Sequence, residues 1–84
     1  MMSDWFVYIV RCADNSLYTG IALDVERRVE EHNNNNRLAA KYTRARRPVA
    51  LVYSETVASK SEAARRESAI KQLSKEEKEC LIKT

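Results

Sequence analysis

The chain has one glycine, Gly20, and it stands inside LYTGI, a run with the β-branched and aromatic character of a strand. Glycine weakens a strand, because it loses backbone entropy and gives neighbours nothing to pack against. The upstream DWFVYIVRC supplies a partner strand over about Trp5 to Cys12, joined through ADN. A two-residue turn at Asp14-Asn15 would set Tyr8 and Tyr18 on opposite faces. A three-residue loop, Ala13-Asp14-Asn15, instead pairs Val10 with Tyr18 and Tyr8 with Gly20, and asparagine tolerates the left-handed position that such a loop needs. Both tyrosines then share a face, and Gly20 leaves an open spot beside a phenol where a ligand's backbone can approach closely. A sheet bulge with two core tyrosines satisfies the same residues.

Further elements are signalled locally. VALVYSE after Pro48 reads as a third strand. Asp24 can cap VERRVEEH, where Val25 and Val29 form a narrow apolar stripe. Ser59 with Glu62, and Ser74 with Glu77, have capping-box spacing at the heads of two later helices. Residues 37–45 read as a short helix. The expectation is an α+β domain over residues 1–84, a small three-stranded, mainly antiparallel sheet flanked by helices in the order β-β-α-(α)-β-α-α. Folding at this length buries roughly 60–65% of the unfolded surface and leaves no room for a second module. A 44% hydrophobic and 32% charged composition fits a soluble globular protein. The start lacks the basic and long apolar regions of a signal peptide, and no apolar run approaches a membrane span, so a cytoplasmic protein without a membrane partner is expected. Cys12 and Cys80 lack metal-type spacing and read as reduced thiols.

The net charge of +3 is unevenly distributed. Residues 1–36 carry −3, residues 48–84 carry +1, and RLAAKYTRARR at 37–47 carries five bases and no acid. Such a block is either a solvated face or a contact for a phosphate backbone, with Lys41, Arg44, Arg46 and Arg47 as its candidate residues.

Two helices carry polar residues on stripes that face the sheet. Arg28 and His32, four apart, flank Val25 and Val29, whereas Arg27 falls over Glu31 as an exposed ion pair. Glu67 lies among Ala63, Ile70 and Leu73. A carboxylate there needs a partner, either a salt bridge to an arginine or a hard cation such as Mg²⁺. Arg28 and His32 have equally ordinary readings as an ion-paired and a hydrogen-bonded packing residue. Two phenols, an arginine, a histidine and a glutamate beside a basic segment are also the parts that phosphodiester hydrolysis needs. A phenol, with an unperturbed pKa of about 10, serves as a base only with help from a neighbour such as His32 or a metal-bound water.

FVY, then YTG ten residues later, RRVEEH and RRESAIKQL resemble the GIY-YIG endonuclease superfamily, and KYTRARRPVALVYSE resembles its small stand-alone bacterial members. The likeness runs from about Trp5 to Ile82. It implies Tyr8 as the first motif's tyrosine, Tyr18 and Gly20 as those of the second, Arg28 as the catalytic arginine, His32 as a histidine one turn on, and Glu67 as the metal-binding glutamate. It further implies a single Mg²⁺ (or Mn²⁺), with Tyr8 as the favoured base and Tyr18 orienting the water. Phe6 stands where the first motif has glycine, and Ile21 and Ala22 where some members have lysine.

The function expected is therefore metal-dependent endonucleolytic hydrolysis of DNA rather than RNA, with branched or flapped structures as candidate substrates. With no further domain to select a target, the 37–47 block, self-association or a separate protein partner would do so. The alternative is a non-catalytic nucleic-acid-binding module of the same fold.

Overall fold

The computed structural model describes residues 4–84; Met1, Met2 and Ser3, the head of the stretch weighed as a signal segment, lie outside the described residues. The hairpin is set by its loop. Asn15 adopts φ 69°, and the Cys12 and Ser16 backbones close the loop with an N–H to carbonyl bond of 2.8 Å. Strands β1 (Trp5–Arg11) and β2 (Leu17–Ala22) then pair with Tyr8 opposite Gly20 and Val10 opposite Tyr18, the three-residue-loop register. Strand β3 (Ala50–Val57) adds antiparallel on the other side of β1, with a register shift at Ile9/Val10, so the sheet order is β2-β1-β3.

Alternation along β1 divides the core. Val7 and Ile9 point to one face with Ala63 and Ile70; Tyr8 and Val10 point to the other with Cys12, Ala22 and Val49. Helix α1 (Val25–Asn34), capped by Asp24, lays Val25 and Val29 on the tyrosine face. Helices α3 (Lys60–Lys71) and α4 (Lys75–Lys83) cover the opposite face, with Leu81 and Ile82 of α4 against that cluster. Ser74 and Glu77 form the complete capping box; Ser59 caps α3, but Glu62 reaches the Ala58 N–H instead.

Helix α2 is shorter than the 37–45 expected, only Lys41–Arg44. The Asn35 carboxamide accepts from the Arg37 and Leu38 N–H groups and holds them in a turn, and Ala40 is extended. Among the described residues no helix is long and apolar enough to cross a membrane. Cys12 and Cys80 are free thiols, the first buried and the second exposed.

Candidate active site

The only buried residue of α1 is a histidine. His32 is fully enclosed, and its Nε2 lies 2.7 Å from the Tyr8 hydroxyl oxygen. Burial, reinforced by the Arg28 and Arg47 charges, pushes its pKa down to about 4, so the imidazole is neutral. Burial likewise pushes Tyr8, 1% exposed, up to about 12, despite the opposing pull of the Arg28 charge.

Gly20 explains how the phenol reaches this place. A Cβ on Gly20 would stand 2.5 Å from the Tyr8 hydroxyl oxygen and 2.6 Å from Cζ. The open spot expected for a ligand's backbone is therefore filled by the Tyr8 ring itself, because the ring swings across its cross-strand partner to reach α1. The glycine serves the phenol directly.

Tyr18, two residues before Gly20, is half-buried at the edge of the sheet, its ring edge-on to His32 at 5.4 Å. Arg28 comes from α1 with its guanidinium beside the Tyr8 phenol, donating to Glu31 at 3.1 Å and to the Leu38 carbonyl at 2.7 Å. Arg27 also pairs with Glu31, at 3.4 Å, and is far more exposed, so the helix sorts the two arginines as its apolar stripe requires. A cleft of ≈ 280 Å³, walled by Trp5, Ile21 and Leu23, opens onto Arg28 and Glu31.

Glu67 belongs to α3, behind the sheet, yet its charge is felt at Tyr8. Its partner is not an arginine but Lys71, one turn on, at 3.4 Å, and the Lys71 ammonium reaches over the Tyr18 ring at 5.9 Å. The Glu67–Lys71 pair thus comes round the β2 edge to the tyrosines. Among the described residues no three His, Cys, Asp or Glu side chains converge on one point. A single half-buried carboxylate suits a cation that keeps most of its water, such as Mg²⁺, and does not suit a metal that requires an all-protein cage.

The basic block divides. Lys41 is exposed, and Arg44 donates to the Asn36 carbonyl at 2.7 Å. Arg46 bonds Asp14 and sits over the Tyr42 ring, its guanidinium carbon 3.8 Å from the ring centroid. Arg47 turns inward, donating to the His32 carbonyl at 2.6 Å and the Asn36 side chain at 2.7 Å. Two site neighbours escaped sequence reasoning. Tyr42 stacks on Tyr18 at 5.8 Å, and the i,i+4 spacing of Tyr42 and Arg46 was the available signal. Thr43, fully buried, places its hydroxyl 2.8 Å from His32 Nδ1; nothing in KYTRARR distinguishes it.

A sequence model described as the GIY-YIG catalytic domain matches residues 4–79. A UPF0213 protein of Desulfotalea psychrophila is 58% identical over 79 residues, spanning 94% of this chain and 71% of that one. A UPF0213 protein of Staphylococcus aureus is 55% identical over 82 residues, 98% of both chains. Among solved structures, the solution NMR structure of a UPF0213 protein from Bacillus halodurans superposes with TM-score 0.60 at 44% identity, covering 95% of this chain and 83% of that one. A protein from E. faecalis, also solved by NMR, gives 0.61 at 36% identity, with 93% and 82% covered. With two motif tyrosines on adjacent antiparallel strands, the glycine that admits one of them, and an arginine helix laid over both, this chain belongs to the GIY-YIG family.

Proposed function

We propose that the chain, residues 1–84, is one nuclease domain that hydrolyses phosphodiester bonds in DNA with the help of Mg²⁺ or Mn²⁺ and shows a preference for branched or flapped structures. The observation that carries this reading is the convergence on one phenol. Tyr8 has His32 at hydrogen-bond distance, Arg28 beside it, and the Glu67 charge within electrostatic reach. A divalent ion held by Glu67 in place of Lys71 would supply Lewis-acid charge to the scissile phosphate.

The chain's own groups do the rest. Arg28 exchanges its bonds to Glu31 and the Leu38 carbonyl for a phosphate oxygen, a stronger charge-assisted contact. Tyr18 orients the attacking water at the rim. As the water oxygen bonds phosphorus, its proton passes to the Tyr8 oxygen while the phenol proton passes to His32 Nε2. The bond from phosphorus to the leaving oxygen breaks, and that oxygen takes a proton from solvent. With Tyr8 near 12 and His32 near 4, the proton does not move beforehand, so the transfer belongs to the attack itself. A bound phosphate offsets the Arg28 charge that depresses His32, and so makes the imidazole more basic when it is needed.

Cleavage of labelled duplex, single-stranded, flap and four-way-junction DNA, with RNA in parallel, tests this. Cutting should need Mg²⁺ or Mn²⁺, stop in EDTA, disappear in Glu67→Ala, and fall on the order of 10²–10³ in kcat in Arg28→Ala. Cutting that survives both substitutions sinks the assignment. The Glu67–Lys71 pair favours a second reading, a non-catalytic nucleic-acid-binding module whose carboxylate is already neutralised. Salt-sensitive binding without cutting, unchanged by EDTA, would select it.

A further inference from the structure

We propose that Thr43 is a positioning residue that fixes the His32 imidazole with its proton on Nδ1, leaving Nε2 bare to receive the Tyr8 proton. The inference deepens the proposed reaction and rests on that reading for its catalytic consequence. Its structural content stands by itself.

The proton count around His32 carries it. A neutral imidazole has one N–H and one bare nitrogen, and each is defined by what the other meets. Nε2 faces the Tyr8 hydroxyl at 2.7 Å, a group able to donate or accept, so that side decides nothing. Nδ1 faces the Thr43 oxygen at 2.8 Å. A threonine in a helix commonly donates its hydroxyl to the carbonyl three or four residues back, and Thr43 donates to the Ala40 carbonyl at 3.0 Å. With its proton directed to that carbonyl, the Thr43 oxygen is left as an acceptor, and Nδ1 carries the hydrogen.

One group opposes this arrangement. The Ala40 N–H lies 3.4 Å from Nδ1 and favours a bare nitrogen. That contact is at the weak limit of a hydrogen bond, and the threonine contact is 0.6 Å shorter. The charged and titratable neighbours of the imidazole are Arg28 and Glu31 on α1, Arg47 after α2, Tyr8 on β1 and Tyr18 on β2. None of these touches Nδ1. The choice of tautomer therefore falls to Thr43, the one buried residue of α2.

The consequence reaches the phenol. With Nδ1 protonated, Tyr8 donates to Nε2 and keeps the lone pairs of its oxygen free to take a proton. With Nε2 protonated, the imidazole donates to the Tyr8 oxygen and nothing is left to accept the phenol proton. Replacing the Thr43 hydroxyl by a methyl group leaves the Ala40 N–H as the only partner of Nδ1, which selects this second, unproductive state.

His32 is the only histidine in the chain, so ¹⁵N NMR of the imidazole reads one residue without ambiguity. In the native protein without nucleic acid, Nδ1 should give the protonated signal and Nε2 the bare one. Thr43→Val, which keeps the side-chain shape, should reverse them, and Thr43→Ser should restore the native pattern. In the cleavage assay Thr43→Val should lose on the order of 10²-fold in kcat with KM unchanged, and Thr43→Ser should recover most of it. A native imidazole protonated on Nε2 overturns the proposal, as does a folded Thr43→Val that keeps the native tautomer. If Thr43→Val does not fold, the native spectrum and Thr43→Ser still decide. Because the spectra need no substrate, a protein that cuts nothing refutes the nuclease reading while the tautomer assignment is judged separately.

Discussion

At the scale of single residues, Gly20 combines two opposed energies. In an ordinary strand, replacing glycine by alanine gains roughly 0.5–1 kcal/mol of stability through backbone entropy. Here the added Cβ would meet the Tyr8 oxygen at 2.5 Å inside a packed face, and overpacking typically costs about 1–3 kcal/mol. The second effect is the larger, so Gly20→Ala should be destabilised and should lose on the order of 10²-fold in cleavage as the phenol leaves His32. Denaturant unfolding alongside kinetics checks both parts. A Gly20→Ala protein more stable than native and fully active would mean that the phenol works from some other position. The glycine that looked like room for a ligand is room for the protein's own catalytic candidate.

Among elements, the β1–β2 loop exerts the widest control. Side chains in a strand alternate with period two, so a loop one residue shorter would move Tyr18 to the α3 face. The three-residue loop depends on Asn15 holding φ 69°, a region that costs most residues roughly 1–2 kcal/mol. Asn15→Gly should therefore be neutral or stabilising. Asn15→Val should lose about that amount, seen as a lower denaturant midpoint with the slope unchanged. Equal midpoints for the two variants would show that the loop conformation does not set the register. Helices behave more locally: Asp24, Ser59 and Ser74 each cap the helix that the sequence assigned to them.

Across the whole molecule, the charge blocks do not act as uniform patches. The asparagine run that precedes the basic block ties much of it down. Asn35 holds the 37–38 turn, and Asn36 binds both Arg44 and Arg47. Asn33 bridges both backbone groups of Val49, pinning the segment that leads into β3. A cation held inside cannot release counterions from a phosphate backbone. Lys41→Ala should accordingly lower the salt slope of nucleic-acid binding by about 0.9 for each duplex phosphate that the lysine neutralises, with folding unaffected. Arg47→Ala should chiefly lower stability, because its bonds to the His32 carbonyl and Asn36 disappear. Titrations at several salt concentrations, with thermal unfolding of each variant, separate the two. A slope that responds only to Arg47 would reverse the assignment.

The element order, the helix caps, the hairpin register and the choice of Arg28 over Arg27 as the inward arginine are all legible in the residues alone. Each of these is governed by near neighbours in the chain: periodicity, capping spacing, loop length, and one glycine in a strand. Packing in three dimensions was needed to settle what fills the space at Gly20, that Lys71 rather than an arginine meets Glu67, and that Arg47 is turned inward. It alone brought Thr43 to His32. These are contacts between elements, or choices among side chains of equal local propensity. They are fixed by where helices cross a sheet and by which polar atoms burial leaves in need of a partner.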